Sequence, residues 1–480
     1  MTMVLIVVLA YFCVLFMISR LTTRRATNAT FFRGERRSPW YMVAFGMVGA
    51  SISGVTFVSV PGMVLTSGMA YLQLCMGFIL GYLVVAFVLL PVYYHMNLTS
   101  IYSYIGQRLG LRSYHTSAWF FLLSKMCGAA LKFYVVCMIL TTFLRGDAQM
   151  GRLPFVLITL GMVLLIWLYT RQGGIRTLVF TDTFQTFCLF SALLIIIYRV
   201  MAQLDMSVAE AFHAITTDER SRVFVLDDWA SPWNFWKQLL SGLFIVVVMT
   251  GLDQDMMQKN LTCKTLKDAQ KDMCCYGLAF LPANFLFLAL GVLLAQLFAL
   301  HGTALPAKGD ELLPMFVSQS GGVVSILFVV GILAASFSSA DSALTSLTTS
   351  FCVDICHRET DERLRQRVHI AMCFCFAAFI VLFDAVNSKS LIDAIYTIVS
   401  YTYGPLLGLF AFGLTTRRAV RDRWVPYVCV ASPLLCYVID ATASRQFGYH
   451  FGYELLLLNG LLTFVSLLFL SIGQRRFVKR

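Results

Sequence analysis

The sequence contains little charge and no long polar segment. Charged residues make up 13% of its 480 residues, whereas 59% are hydrophobic. The longest polar stretch, at about 200–234, is too short to form a soluble domain of its own. These absences exclude an ordinary soluble protein and disfavour a membrane-embedded sensor, which would need an attached signalling domain. The sequence therefore predicts a single integral membrane domain over residues 1–480.

The sequence also lacks the residue clusters that build metal centres or catalytic sites. Its 14 cysteines are spread through apolar runs without a CxxC pair, and its 7 histidines show no metal-ligand spacing. The cysteines are interpreted as small buried hydrophobic residues. We therefore expect no enzymatic activity.

Long apolar runs, by contrast, recur along the whole chain. Runs of roughly 20 apolar residues are typical of transmembrane helices. We predict an all-α integral membrane protein with about thirteen such helices. The predicted segments lie at about 3–19, 41–66, 70–94, 118–144, 154–170, 177–198, 235–258, 273–300, 321–348, 369–387, 390–415, 425–443 and 453–473.

The net charge of +12 is distributed unevenly between the two sides of the predicted membrane. Most of the 37 basic residues fall in one alternating set of loops, at 20–37, 108–112, 171–176, 259–271, 358–367, 417–423 and 475–480. By the positive-inside rule this set is cytoplasmic, which places the N-terminus outside and the C-terminus inside. The charge thus indicates orientation and contact with anionic lipid rather than nucleic acid. We expect a monomer in the inner (plasma) membrane.

The segment Ala334–Ser346 is crowded with hydroxyl groups and carries Asp341 at the end of an apolar run. Hydroxyl and carbonyl oxygens are the ligands that a hard cation needs once its water is removed. Polar oxygens at membrane depth are costly unless they line an ion or substrate path. We interpret this segment as half of a sodium site. The alternative is that the hydroxyls only bond back to carbonyls of their own helix.

Two predicted segments contain residues that interrupt a regular helix. The second holds Gly46, Gly49 and Gly54 among small hydroxyl residues, and the seventh holds Gly242 and Gly251. If only one segment contained such glycines, close helix packing would be the simpler explanation. The two segments lie five helices apart, however, so the groups of five that begin with them are inverted relative to each other. Broken helices at corresponding positions of two inverted halves indicate the central site of a transporter.

Four motifs, in order along the chain, resemble the sodium/solute symporter family, which includes bacterial carriers of proline, sugars, sialic acid and pantothenate. The motifs are Gly49–Gly54, Gly173–Gly174 followed by Thr181–Gln185, Gln254–Gln270, and Ala335–Asp354. The resemblance implies a LeuT-like fold, which is a five-plus-five inverted repeat with one extra helix before it and two after it. The extra helix and its inner loop would occupy 1–40, the first repeat 41–200, the inverted second repeat 235–415, and the C-terminal helices 425–480.

The resemblance also implies where Na⁺ binds. The shared sodium site of the family would use three backbone oxygens and two hydroxyls, from Gly49, Ile52, Ala335, Ser338 and Ser339. Some members have a second sodium site, whose ligands here would be Asp182, Ser338, Asp341 and Ser342. Asp341 stands where the family has a hydroxyl, so the extra carboxylate would either strengthen this second site or replace the ion with a proton.

Asp182 and two further acids have competing interpretations. Asp182 lies only six residues after Arg176, so it could instead cap a helix start at the membrane surface. Asp253 and Asp255 lie at the inner end of the seventh segment, and we expect them to pair with Lys259. A gating role is the alternative for these two acids.

Lys132 lies near the middle of the fourth segment, where a cation costs a few kcal/mol. One interpretation is a lysine that extends along its stem toward the membrane surface. The other is a counter-charge for an anionic substrate or for Asp341. In sialic acid carriers of the family an arginine on the same helix binds the substrate carboxylate, and Lys132 is similar in placement but lacks the bidentate fork. The resemblance further places Ser53, Thr56 and Gln73 at substrate-facing positions.

Together these features predict a secondary active transporter that couples Na⁺ to the movement of a small organic solute by alternating access. An acidic sugar such as sialic acid, or another organic anion, is the favoured substrate. A neutral sugar or an amino acid such as proline is the alternative. An ion channel would need a continuous polar path, which paired broken helices do not provide.

Overall fold

Helices form almost the whole molecule. The computed structural model describes residues 2–23, 27–145, 153–229, 231–386, 391–449 and 451–474. Some of the charges used to predict the orientation, namely Arg24, Arg25 and residues 475–480, lie outside this part of the chain. Within it the predicted helical architecture is confirmed, apart from one short two-stranded sheet.

The N-terminal half contains eleven helices among the described residues. They are α1 (Thr2–Thr22), α2 (Asn28–Arg33), α3 (Trp40–Ser51), α4 (Gly54–Gly62), α5 (Val64–Ser67), α6 (Tyr71–Val84), α7 (Leu90–His95), α8 (Ser103–Arg108), α9 (Leu111–Arg145), α10 (Leu153–Thr170) and α11 (Gly174–Gln203). A π-helical turn, Val85–Leu89, joins α6 to α7. The short helix α12 (Val208–Thr217) begins the connection to the second half.

The second half continues with ten more helices and two short β-strands. These are α13 (Phe235–Val246), α14 (Gln254–Asn260), α15 (Leu266–Leu300), α16 (Leu312–Ser320), α17 (Gly322–Ser350), α18 (Glu362–Val386), α19 (Leu391–Thr402), α20 (Gly404–Thr415), β1 (Arg418–Val420), α21 (Val425–Phe447), α22 (Leu455–Phe469) and β2 (Ser471–Gln474). β1 and β2 pair antiparallel in a two-stranded sheet. π-helical turns extend α13 to Gly251 and α17 to Ile355.

Eight helices of the described residues are long and apolar enough to cross a membrane. They are Tyr71–His95, Leu111–Thr141, Leu153–Thr170, Gly174–Gln203, Leu266–Leu300, Gly322–Ile355, Glu362–Ala385 and Asp422–Gln446. Two bent pairs raise the number to as many as ten if each pair is one span. Three shorter apolar helices, Ile6–Thr22, Gly404–Thr415 and Leu455–Phe469, accompany them. Several helices extend beyond the predicted apolar runs, because hydropathy marks only the apolar part of a helix.

The two bent pairs coincide with the two segments predicted to be broken. Trp40–Ser51 and Gly54–Ser67 meet at 61°, and Phe235–Gly251 and Gln254–Asn260 meet at 70°. At the first break Ile52 and Ser53 are extended, and at the second Asp253 is extended and its side chain caps α14. Both breaks are therefore real interruptions of the backbone rather than sites of close packing alone.

Helix α17 is the central helix of the molecule. Its side chains from Ile332 to Ser350 are all buried. It packs against α11 and α9, and also against α3 and α4, the two helices that flank the first break. The hydroxyl-rich segment Ala334–Ser346 is thereby enclosed by protein and not by lipid.

Candidate functional site: two broken helices around a central cavity

The first break provides backbone oxygens that lack helical partners. A helix that stops leaves its last carbonyl groups without amide donors. The amide of Ile52 donates to the carbonyl of Val48 at 3.1 Å, and that of Phe57 donates to the carbonyl of Ser53 at 3.1 Å. In the described part of the chain, no backbone amide beyond the end of α3 donates to the carbonyl of Gly49, and none donates to that of Ile52. Both oxygens, predicted as ligands of the shared sodium site, are therefore available to a cation.

Helix α17 places Ser339 against this break. The Ser339 hydroxyl donates to the carbonyl of Ala50 at 2.8 Å and to that of Ala335 on its own helix at 3.2 Å. The longer bond stays within α17, as expected if the hydroxyls only bond to carbonyls of their own helix. The shorter bond instead reaches Ala50 on α3. Ser339 and the predicted ligand Ala335 therefore lie on the side of α17 that faces the first break.

Gly49 is fixed by a close approach between α3 and α11. A β-carbon added at Gly49 would collide with the hydroxyl of Thr186 on α11. Gly46, one turn earlier, faces Asp182 in the same way, with its added β-carbon 3.0 Å from that of Asp182. The glycines thus bring the broken helix against the helix that carries Asp182.

Asp182 lies in the interior and not at a helix end. It is 1% exposed within α11, so the interpretation of Asp182 as a cap at the membrane surface is wrong. Its Oδ1 accepts a hydrogen bond of 2.6 Å from the Ser338 hydroxyl, and its Oδ2 lies 2.7 Å from the Lys259 Nζ. Ser338 therefore faces Asp182, whereas the neighbouring Ser339 faces the first break.

Asp341 occupies the adjacent part of the interior. Its Oδ2 accepts a hydrogen bond of 2.7 Å from the Tyr169 hydroxyl of α10, and its Oδ1 accepts one of 3.3 Å from the Ser342 hydroxyl. The four residues predicted for a second sodium site thus fall into two pairs, Asp182 with Ser338 and Asp341 with Ser342. Each pair is already engaged with a further partner, Lys259 or Tyr169.

The expected pairing of Asp253 and Asp255 with Lys259 is wrong. Lys125 of α9 holds both acids instead, with its Nζ 3.2 Å from Asp253 and 2.7 Å from Asp255. The Tyr403 hydroxyl donates a further bond of 2.6 Å to Asp253. The pairing differs because the chain bends at the break, so that α14 packs against α11 and α17 and carries Lys259 toward Asp182.

A cavity of about 120 Å³ lies between the two breaks. Its lining includes three of the four predicted substrate-facing residues, namely Ser53, Thr56 and Lys132. It also includes Ala50 and Ser339 of the first break, and Lys125, Asp253, Asp255 and Tyr403 beside the second. A solute in this cavity would therefore touch the same hydroxyl and carbonyl groups that face the predicted sodium position.

Gln73 is placed elsewhere. It is fully buried near the start of α6, and its side-chain amide donates to the carbonyls of Ala70 at 3.2 Å and Trp233 at 3.0 Å. Its Oε1 accepts from the amide of Val225 at 3.1 Å. These bonds attach the segment that precedes α13 to α6, and Gln73 does not line the cavity in the described structure.

Lys132 lines the cavity and has no ion-pair or hydrogen-bond partner in the described part of the chain. The proposed pairing of Lys132 with Asp341 is therefore absent, because Asp341 is bonded to Tyr169 and Ser342. Seven residues separate Lys132 from Lys125, which is two helical turns, so both ammonium groups lie on one face of α9. Lys125 contacts both acids directly, whereas the Lys132 ammonium group lines the same cavity without a direct contact to an acid in the described structure.

A family model described as the sodium:solute symporter family matches residues 31–422. This range contains both breaks, the hydroxyl-rich part of α17 and all residues of the central site. The chain belongs to the sodium:solute symporter family. Sodium-coupled symport, with Na⁺ as the coupling ion, is thereby confirmed as the activity predicted from the sequence, and the protein is a multi-pass membrane transporter.

Known relatives of this symporter align with it over most of the length of both chains. The chain is 25% identical over 417 residues to the sodium/sialic acid symporter SiaT of Proteus mirabilis, covering 82% of this chain and 81% of the relative. It is 24% identical over 439 residues to the sodium/sialic acid symporter NanT of Aliivibrio fischeri, covering 89% and 85%. A solved structure of a Na⁺-coupled sialic acid symporter, in a substrate-bound outward-open state, superposes with a TM-score of 0.81 at 20% identity, covering 98% of this chain and 99% of that one. The superposition shows that the symporter has the same fold.

Several residues at the centre of this symporter escaped sequence reasoning. The spacing of Lys125 and Lys132 was a usable signal, since it places both on one helix face. Tyr169 and Tyr403 gave no signal, because nothing local distinguishes them among 20 tyrosines. Lys259 is close to Asp253 and Asp255 in the sequence but pairs with Asp182 in space, so sequence separation is a misleading signal at this bend.

Proposed function

We propose that this symporter carries a small organic anion together with Na⁺ through the central cavity. The observation that carries the proposal is the ammonium group of Lys132, which lines the cavity without an ionic partner in the described structure. A cation at this depth of the membrane is costly unless a counter-charge arrives. A substrate carboxylate supplies that charge, and Ser53 and Thr56 supply hydrogen bonds to its polar groups. An acidic sugar such as sialic acid is the leading candidate, supported by the names of the two bacterial relatives.

Coupling follows from the shared wall between the sodium site and the cavity. We propose that Na⁺ binds to the carbonyls of Gly49, Ile52 and Ala335 and to the hydroxyl oxygens of Ser338 and Ser339. The Ser338 hydroxyl donates its proton to Asp182, so its oxygen lone pairs are what it would offer to the ion. An ion there holds α17 against the first break, which fixes the angle at which Ser53 and Thr56 enter the cavity. Solute binding is therefore strongest in the sodium-bound state, and by thermodynamic linkage the solute strengthens sodium binding equally.

We also propose the architecture that the resemblance implies. Thirteen membrane crossings are supported by the eight long apolar helices, the two bent pairs and the three shorter apolar helices. The inverted repeats would occupy 41–200 and 235–415, each beginning with a broken span, with residues 1–40 before them and 425–480 after. The N-terminus would lie outside and the C-terminus in the cytoplasm of a monomer in the inner (plasma) membrane, an orientation that reporter fusions at the two termini test.

The test is uptake into proteoliposomes that contain the purified protein. A panel of radiolabelled acidic sugars, monocarboxylates, neutral sugars and proline is offered in sodium buffer and in choline buffer. We expect uptake of an anionic member only in sodium, its loss in Lys132→Met, and partial activity in Lys132→Arg, because charge is kept while geometry changes. Lys237→Met serves as the control, since Lys237 lies outside the cavity against the ring of Tyr449.

Each outcome bears on a separate part of the proposal. Equal uptake in sodium and choline would contradict the sodium coupling. Full anion uptake by Lys132→Met would contradict the role of Lys132 as the counter-charge. Sodium-dependent uptake of proline or a neutral sugar alone would favour the alternative substrate class.

A further inference from the structure

Lys259 is one of the most deeply buried charged groups of the described chain. The residue is 1% exposed, and its Nζ lies 2.7 Å from the Asp182 carboxylate, which is also 1% exposed. The second oxygen of that carboxylate accepts the hydrogen bond from Ser338. Both oxygens of Asp182 are therefore occupied by groups of the protein itself.

The charges around Lys259 are unequal in number. Three carboxylates interact electrostatically with Lys259, namely Asp182 on α11, Asp255 on α14 and Asp341 on α17. Asp255 is already paired with Lys125. Asp341 is held by the hydroxyls of Tyr169 and Ser342, neither of which brings a charge. A buried carboxylate needs a cation of single charge as its partner, and an ammonium group carries the same charge as Na⁺. Lys259 supplies that partner directly at Asp182.

We propose that Lys259 serves as a tethered cation that replaces a second sodium ion at Asp182, so that the symporter binds one Na⁺ per transport cycle. The inference rests on the proposed function only through the shared sodium site at the first break. It concerns the number of ions bound, and it holds for any solute that the cavity accepts.

The position of Lys259 in the fold explains why a tethered charge suits this place. Lys259 belongs to α14, the inner half of the second broken helix. The neighbouring Gln258 anchors α14 by donating to the Phe32 carbonyl at 2.8 Å and to the Thr349 hydroxyl at 3.0 Å. The ammonium group can therefore neutralise Asp182 without crossing the membrane with the solute, whereas a sodium ion at the same position would leave with it.

The experiment counts sodium ions on the purified protein with ²²Na⁺, which needs no knowledge of the solute. We expect one bound ion on the wild-type chain, weakened binding in Ser339→Ala, and one ion retained in Asp182→Asn. Lys259→Met removes the tethered charge and leaves Asp182 free, so it should bind two ions. The double variant Lys259→Met/Asp182→Asn should return to one ion, because neither charge remains.

The outcomes separate this inference from the proposed function. Two ions on the wild type, loss of an ion in Asp182→Asn, or a single ion on folded Lys259→Met would overturn the tethered cation and leave the proposed function intact. If Lys259→Met does not fold, the wild type, Asp182→Asn and the double variant still decide the count. Absence of ²²Na⁺ binding by the wild type would overturn the shared sodium site, and this inference with it.

Discussion

Removing the hydroxyl of Ser339 perturbs the shared sodium site at a single atom. That oxygen lies 2.8 Å from the Ala50 carbonyl at the first break and also lines the cavity. A hydrogen-bonding contact with a charged group contributes about 1.5–3 kcal/mol, and we take one sodium ligand to be comparable. Since about 1.4 kcal/mol corresponds to a factor of ten, Ser339→Ala should raise the half-saturating sodium concentration by roughly 10- to 100-fold.

The assay is ²²Na⁺ binding, or initial-rate solute uptake, measured against sodium concentration. The matched control is Ser346→Ala, since Ser346 lies two turns further along α17 and is also buried. In the described structure its hydroxyl donates only to the Ala343 carbonyl of its own helix, at 2.9 Å. The control should keep the wild-type sodium dependence. Equal shifts in both variants, or no shift in Ser339→Ala, would show that the hydroxyl cluster is a packing feature and not an ion site.

Four further predictions test other parts of the structure. Gly49→Ala should lower the thermal stability and the transport rate, because its β-carbon collides with Thr186; wild-type behaviour would contradict the close approach of α3 and α11. Lys125→Met should destabilise the protein by about 3–5 kcal/mol, because it leaves two buried acids without a cation. Asp255→Asn in that background should recover part of the loss on thermal unfolding, and no recovery would refute the ion pair. Gln73→Leu should speed tryptic cleavage of the segment before α13 in limited proteolysis and leave the solute affinity unchanged. Lost affinity with unchanged cleavage would show instead that Gln73 contacts the substrate. Uptake of a monoanion with one Na⁺ should not respond to an imposed membrane potential in valinomycin-treated vesicles, and a clear response would refute one-to-one coupling.

The fold could be predicted to a large extent because membrane helices carry strong local signals. Apolar runs and glycine-rich interruptions fix the approximate positions of the helices and of both breaks. Helix ends are less accurate, as at Leu111 and Leu266, where helices begin about seven residues before the predicted apolar run. Polar residues outside the hydrocarbon layer can continue a helix, so hydropathy cannot locate these ends.

The centre of the molecule could be predicted only in part. The hydroxyl-rich segment of α17 and the first break were found from residue type, and the structure brings them together at Ser339. The ionic partners were not found, since Lys125 and Lys259 reach acids 128 and 77 positions away in the sequence. Such pairings depend on the packing of helices from different halves and on the 70° turn of α14, neither of which leaves a pattern in the sequence.

The contrast between α17 and α21 has a consequence for how this chain can change in evolution. In the apolar stretch of the span Gly322–Ile355, which contains α17, 72% of the residues are buried inside the protein. In the apolar stretch of the span Asp422–Gln446, which contains most of α21, 22% are buried. This second span lies beyond the family match apart from Asp422. Side-chain volume is constrained in α17 from Ile332 to Ser350, because a densely packed interior tolerates neither cavities nor excess atoms. Most of α21 instead meets the surroundings, where hydrophobicity and length matter more than shape. Substitutions that adapt the transporter to a thicker or thinner bilayer can therefore accumulate in α21 while the machinery around α17 stays unchanged.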